Sequence, residues 1–464
     1  MTPNDALLVE RMSGIGRSAP WAKWMIMLSL IIAPFVLAIR YSSHSDRPSQ
    51  SEPHAIYDSD PAHLWNRLHR ALYVRTTRNG EEYGRDELDP LLWDETEHLL
   101  VGPGRQLAIK LLDEFLSKDG AAMITDPLKR AMLQRDLWAV FNWSAKTSFS
   151  HRQERQALQS KLVSAIRSVA LSREQIQALP DNYADAVRTK VFAAQYDPGR
   201  REVAFLPPDL FQSDGPWVCI SARGGQPIAP SHSFHFSGSS VFLIFIRLPE
   251  GRASTLNYLK SLQEYPVFMS GGNSDQQLPN PDLPQFPVGS QVALVRKLAL
   301  IDNQGNLIPT RLTEQMQIRV HRAISKTIPL GVDLSSNPER DSQDFFEFKL
   351  SRVKLFALDT GGLRALARDE KEFLLFMSHG IDPFDRLKEN EPMERHRITT
   401  LRFCVNCHYR PGIHSMTSLS GLRGARAELI ASNPNSETSV TVGWNQEKYN
   451  WGLLQGLWRA SPAR

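Results

Sequence analysis

The stretch Val241-Phe-Leu-Ile-Phe-Ile-Arg-Leu248 decides the fold class of this chain of 464 residues. It is apolar apart from Arg247, and most of its side chains are β-branched or aromatic. Such a run favours a strand that is buried on both faces of a sheet. We therefore predict a β-rich region over residues 203–360 that is interrupted by short helices. Its further strands are predicted at residues 292–301, 316–320, 345–350 and 353–356, and its clearest helix at 254–262.

Upstream of these strands, residues 60–202 have the apolar spacing of helices. Leucines recur at positions four residues apart, as at Leu64 and Leu68. Ser172 and Gln175 have the spacing of a capping box, in which each side chain bonds to the backbone N–H of the other residue at a helix start. The sequence therefore predicts a helical region before the β-rich one.

Downstream, residues 361–464 form a tail of mixed character. Helices are predicted at residues 422–430 and 453–458. Aromatic side chains are mostly packing residues, so the tryptophans of the tail are expected either to finish the core or to wall a cofactor crevice. These tryptophans are Trp444, Trp451 and Trp458. Together the three regions predict an α+β protein.

The N-terminal segment has the pattern of an export signal. Residues 24–39 form an uncharged, mostly apolar run between Lys23 and Arg40, and Arg11 and Arg17 precede it. This distribution of positive charge favours an N-terminus that stays in the cytoplasm. As a helix the run would span roughly 24 Å, which is a little short of a bilayer core of about 30 Å. We therefore predict a single-pass membrane anchor.

A cleaved signal peptide is the alternative interpretation of this run. Val36 and Ala38 are acceptable for cleavage, but they lie inside the run and not after it. Residues 1–41 are therefore interpreted as a cytoplasmic N-terminus with an anchor or signal. Residues 42–59, rich in Ser, Pro and charge, are interpreted as a flexible linker. In either case the main domain is expected in the periplasm or outside the cell.

Composition is that of a globular protein with few cysteines. The chain is 41% hydrophobic and 22% charged, with a formal net charge of +4. No cluster of Lys and Arg alternates with aromatic residues, so no nucleic-acid partner is indicated. Only three cysteines are present, which excludes a disulfide framework. Cys219 stands alone in an apolar run and is expected to be a small buried residue.

The stretch Cys404-Val405-Asn406-Cys407-His408 carries the chemistry. Two thiols at this spacing can each add to a haem vinyl group, and the histidine that follows can bind the iron. Zinc is an alternative, but it needs two further ligands, and the only histidines nearby are His408 and His414. A redox dithiol is a second alternative, but the segment before Cys404 is polar and unlike a buried strand.

This motif resembles the haem-attachment site of c-type cytochromes, over five residues of the 464. The resemblance implies one covalent haem c, with its iron, on Cys404 and Cys407, and His408 as the proximal ligand. It also implies export, because this haem is attached outside the cytoplasm. The chain departs from the small cytochrome c domain, in which the motif lies near the N-terminus and an axial Met lies far downstream. We therefore interpret residues 361–464 as a haem-bearing region within a larger fold.

The sixth iron ligand is left open by the sequence. Met416 and His414 are the nearest downstream candidates, and Met416 has the easier reach around a porphyrin edge. An open iron position is also compatible with the sequence. Upstream candidates are Met377, His379, Met393 and His396.

Other polar residues are weaker candidates. Arg402 and Arg410 flank the motif, and one of them could pair with a haem propionate or simply be solvated. His232 and His235 have no obvious third metal ligand and are expected to be loop or strand residues. Asp382 and Asp385 form a carboxylate pair that loop chemistry explains adequately.

Three functions are compatible with these features. The first is electron transfer to a redox partner protein by a membrane-anchored, single-haem c-type cytochrome. The second is an extracytoplasmic haem enzyme, peroxidase-like or acting on a small molecule, with His414 as its acid or base above an open iron. The third is a structural or interaction protein in which haem is a folding element. No catalytic triad or phosphate loop is evident.

Overall fold

A computed structural model describes the chain from residue 55, near the end of the predicted linker, to residue 460, with gaps. The described residues are 55–146, 150–225, 227–229, 232–233, 238–270, 277–324, 342–374, 380, 382–386, 392–417 and 428–460. Residues 51–464 form one compact unit. The predicted anchor at residues 24–39 lies outside the described residues, and no helix within them is long and apolar enough to cross a membrane.

The core of the fold is an antiparallel sheet of seven strands in the order β10-β9-β8-β7-β4-β3-β13. The decisive apolar stretch forms β4, near the middle of this sheet, as predicted. The strands are β3 (Val218–Ala222), β4 (Ser240–Arg247), β7 (Gln291–Ile301), β8 (Leu307–His321), β9 (Gln343–Leu350), β10 (Leu363–Ala365) and β13 (Leu429–Ala431). Short two-stranded sheets pair β1 (Arg75–Thr76) with β2 (Glu82–Tyr83), β5 (Phe268–Ser270) with β6 (Gln277–Pro279), and β11 (Lys371–Glu372) with β12 (Ile398–Thr399).

Helices pack on the sheet, and most of those before residue 200 share one hydrophobic core with it. The capping box is present as predicted, since Ser172 Oγ accepts from the Gln175 N–H at 3.2 Å and Gln175 Oε1 accepts from the Ser172 N–H at 2.9 Å. The helices are α1 (Leu64–Tyr73), α2 (Gly102–Ser117), α3 (Pro127–Ser144), α4 (Arg152–Ser168), α5 (Arg173–Gln177), α6 (Asn182–Thr189), α7 (Arg252–Leu262), α8 (Arg352–Phe356), α9 (Pro383–Arg386), α10 (Thr400–His408), α11 (His414–Thr417), α12 (Pro434–Gln446) and α13 (Tyr449–Ala460). The mixed α+β class is therefore confirmed.

Two sequence predictions are wrong in ways that the packing explains. Residues 353–356 form the end of α8 and not a strand, because the Ser351 hydroxyl accepts from the Lys354 N–H and starts a helix. Residues 429–431 form β13 and not the end of a helix, because they pair with β3 and complete the sheet edge. Residues 422–427 of the predicted helix lie outside the described residues.

Other elements cover both faces of the seven-stranded sheet. Along β8, the side chains of Met316, Ile318 and Val320 join the large core shared with the helices. The alternate side chains point to the opposite face. A second apolar cluster covers part of that face, with Leu259 and Leu262 of α7 among its members. The polar residues of β8 on this face are therefore buried between the sheet and a second layer.

Two of the three tryptophans of the tail belong to the core. Trp451 and Trp458, on α13, are buried in the large core, as expected for packing residues. Trp444 is half-buried on α12, and the Lys448 ammonium lies 4.0 Å from the centre of its ring. The C-terminal helices therefore help to close the core.

Candidate haem-attachment site

The two thiols of the motif lie on one helix against the polar face of the sheet. Cys404 and Cys407 belong to α10, and their spacing of three places them on the same side of it. Gln317 Nε2 of β8 donates to Cys404 Sγ at 3.2 Å, and Cys404 Sγ donates to a carboxylate oxygen of Glu347 on β9 at 3.7 Å. The sheet therefore fixes the rotation of α10 about its axis.

A hydrogen bond to the backbone of Ser415 fixes the tautomer of the His408 ring. His408 Nδ1 lies 2.8 Å from the carbonyl oxygen of Ser415, and a carbonyl oxygen can only accept. Nδ1 therefore carries the proton, and Nε2 keeps the lone pair that a metal needs. Gln343 Nε2 also donates to the His408 carbonyl at 2.8 Å. A hydrogen bond from the remote ring nitrogen to a backbone carbonyl is typical of metal-binding histidines.

The environment of His408 keeps its imidazole neutral. Burial lowers the pKa of His408 well below its usual value, and the charge of Arg319 lowers it further. The bond to the Ser415 carbonyl acts in the opposite direction but does not offset these effects. Neutral imidazole is the form that binds metals.

The thiols are in their protonated form. Burial raises the pKa of Cys404 well above its ordinary value, and the neighbouring Glu347 raises it further. Burial also raises the pKa of Cys407. Zinc sites and redox dithiols use the thiolate, so in either of them a proton would have to leave these buried thiols, whereas a thioether forms from the S–H group. Among the residues that the structure describes, no group of three His, Cys, Asp or Glu is arranged to hold a metal ion.

Arg319 places a buried positive charge beside the motif. Its side chain bonds to Ser415 Oγ at 2.8 Å and to Gln343 Oε1 at 3.4 Å. Within the described residues no carboxylate lies within ion-pair distance of it, and burial lowers its pKa to about 10. A buried cation that only neutral groups contact favours the approach of an anion.

A second histidine ring lies parallel to His408. The centres of the His232 and His408 rings are 6.3 Å apart, and their planes differ by only 8°. His232 lies before β4, where its ring is 6.2 Å from that of Phe242. The structure therefore brings together two imidazoles that are far apart in sequence.

The other predicted site residues have different surroundings. Arg402 is exposed on α10, and Arg410 Nε donates to the Tyr409 hydroxyl at 3.4 Å. His414 is buried on α11, where burial and then the charge of Arg410 lower its pKa to about 4. Met416 packs against the second apolar cluster.

The remaining predicted residues lie before the motif in sequence, and only some of them are described. Met393 is buried and His396 exposed on a short 3-10 helix (Met393–His396) before β12. Met377, His379 and His235 lie outside the described residues. Asp382 and Asp385 both pair with Arg75, as expected for structural carboxylates.

The buried polar residues of the sheet next to α10 were not predicted from the sequence. Gln317, Arg319 and His321 alternate with apolar residues along β8, a pattern that ordinarily indicates a face open to water. All three are buried. Gln343 and Glu347 of β9 add further polar side chains to the same face. This concentration of polar residues was the feature of the sequence that could have indicated a site there.

Comparison with known protein families, curated proteins and solved structures found no significant match to this chain. The residues of the site therefore carry the functional inference.

Proposed function

We propose that this protein is an exported, membrane-anchored cytochrome of the c type that carries one covalent haem and transfers electrons. The observation that carries the proposal is the arrangement of His408 within the motif. Its Nδ1 donates to the Ser415 carbonyl, and its Nε2 keeps a lone pair beside two protonated thiols on the same helix. This donor set fits haem c better than zinc or a dithiol.

Each residue of the site has a distinct role in this proposal. Cys404 and Cys407 would hold the porphyrin, each by addition of its S–H across a vinyl double bond, which releases no by-product. His408 would bind the iron through Nε2. Arg319, in place of Arg402 or Arg410, is the buried cation best suited to a propionate. The bound haem would supply one-electron chemistry at the iron.

Electron transfer is favoured over catalysis because the surroundings of His414, the acid or base that the sequence suggested, do not suit that role. His414 was the sequence candidate, but burial lowers its pKa to about 4, so that it is neutral near pH 7 and a poor proton donor. The segment that carries His414 is also held at the Nδ1 edge of His408, through the Ser415 carbonyl. An electron carrier needs no such group.

We expect covalent haem on Cys404 and Cys407. The full chain, expressed with a cytochrome c maturation system, should stain for haem after denaturing electrophoresis and gain the mass of one haem. The C404A/C407A variant should lose the stain entirely. The matched control is Cys219→Ala, which removes the third, buried cysteine in β3 and should keep the stain. A wild-type chain without haem, from cells that load a reference cytochrome, would overturn the proposal.

We also expect the mature protein to keep residues 24–39 and to remain in the membrane fraction. The basic residues before the run and the lack of a clean cleavage site after it are the reasons. N-terminal sequencing of the purified protein tests this directly. A mature terminus near residues 39–43 and release into the soluble fraction would show cleavage and contradict the anchor.

A further inference from the structure

We propose that His232 is the sixth ligand of the iron, opposite His408. This inference rests on the proposed function, since it requires a haem at the motif. Its basis is the parallel placement of the two rings, with centres 6.3 Å apart and planes 8° from parallel.

The separation of the rings matches two imidazoles that share one metal ion. A metal–imidazole bond is about 2 Å long, and the bound nitrogen lies about 1 Å from the ring centre, so two ring centres on opposite sides of one ion are about 6 Å apart. The rings are too far apart for direct face-to-face contact, which needs about 3.5 to 4 Å. The distance between the ring centres is therefore the one expected of two histidines that bind a single ion through nitrogens that face each other.

The backbone beside His232 is anchored by bonds that do not depend on a cofactor. The Ser233 N–H donates to the Ala229 carbonyl at 2.8 Å, and Lys448 Nζ donates to the Ser233 carbonyl at 3.2 Å. The ring of Phe242, on the central strand β4, lies beside the His232 ring. His232 is therefore positioned by α12–α13 and the sheet, as a preorganised ligand requires.

The downstream candidates lie on the wrong side of His408. Ser415, between His414 and Met416, accepts the bond from His408 Nδ1, which is the edge of the ring that faces away from the iron. Met416 also packs against the second apolar cluster. Either residue could reach the opposite face of the haem only if this segment left its place.

His321 is the remaining rival, because it is fully buried and neither of its ring nitrogens has a hydrogen-bond partner in the described part of the chain. Its ring packs 5.2 Å from that of Phe286, in the second apolar cluster. Burial lowers its pKa well below the usual value, so it is neutral. His321 and His414 therefore serve as matched controls, as two other buried histidines of the same layer.

Ligation by two imidazoles has a spectroscopic consequence. The iron should be six-coordinate and low-spin in both oxidation states, without the near-infrared sulfur-to-iron band that a Met ligand gives. Its potential should be lower than with Met ligation, because Met raises it. Parallel imidazole planes should give a rhombic low-spin electron paramagnetic resonance signal in the oxidised protein, whereas perpendicular planes give a strongly anisotropic one.

The test compares His232→Ala, His321→Leu and His414→Ala in the full-length holoprotein. We expect His232→Ala alone to become high-spin and to bind carbon monoxide stoichiometrically when reduced, where the wild type binds none. Added imidazole should restore its low-spin spectrum, and His232→Met should raise the potential. All three variants should keep the haem stain.

The outcomes separate the two proposals. Absence of covalent haem from the wild type would overturn the proposed function. Covalent haem with an unchanged low-spin spectrum in His232→Ala would overturn only the inference about His232. Should that variant fail to accumulate, the wild-type spectrum decides, because a sulfur-to-iron band or a high-spin iron at rest would equally exclude His232.

Discussion

Replacement of His408 by alanine should abolish the native absorption spectrum of the protein while the polypeptide stays folded. The ring supplies the only imidazole that the motif itself holds beside the porphyrin, and its orientation is set by the Ser415 carbonyl. Any haem that remains on the thioethers should be high-spin. Visible spectroscopy measures the loss, and far-ultraviolet circular dichroism of the same sample measures the retained helices and strands.

His396→Ala is the matched control for this experiment, because it removes an exposed histidine that lies shortly before the motif in sequence. Its spectrum should equal that of the wild type. A His408→Ala protein that keeps the native low-spin spectrum would mean that another residue binds the iron in place of His408. A cost of about 1–3 kcal/mol in stability is also expected, since the buried Ser415 carbonyl loses its donor.

Replacement of Glu314 by glutamine should cost about 3–5 kcal/mol of the free energy of unfolding, because it removes the fully buried one of the two carboxylates that pair with the buried Arg135 and Arg296. Glu314 Oε1 accepts from Arg135 Nε at 2.6 Å, and Glu314 Oε2 lies 3.0 Å from Arg296 Nε. Ser240 Oγ donates to the same carboxylate at 2.7 Å. These bonds connect α3 of the helical layer to β4, β7 and β8 of the sheet.

Urea unfolding of the full chain in detergent measures this cost, as a shift of the midpoint at constant slope. The matched control is Glu114→Gln, which breaks ion pairs with Arg67 and Lys118 at the surface of α2 and should cost less than about 1 kcal/mol. Equal midpoints for the two variants would show that the buried network does not hold the layers together. Asp89, which also pairs with Arg135 and Arg296, limits the loss, because it remains as a second partner.

Features that depend on neighbouring residues were predictable from the sequence. The apolar run of β4 is a strand because its own side chains require burial on both faces. The helix α5 starts where Ser172 and Gln175 can cap it. The motif from Cys404 to His408 places both thiols on one side of a single helix by spacing alone. In each case the physical cause lies within a few residues of the effect.

Features that depend on which segments meet were not predictable. Residues 353–356 are helical because Ser351 caps them, although their apolar character also suits a strand. Residues 429–431 form a strand only because β3 offers a free edge to pair with. Alternating polar residues, as along β8, ordinarily indicate contact with water, whereas Gln317 of β8 bonds to Cys404 of α10.

The sequence by itself therefore determined the mixed fold class and the strongest strands, and it supplied the motif for which we propose haem attachment. The tertiary structure alone decided what surrounds them. Arg319 becomes a buried cation, and the ring of His232 lies parallel to that of His408, only when the sheet and its second layer pack together. The physical reason is that these placements depend on contacts between residues far apart along the chain, which periodicity and spacing do not encode.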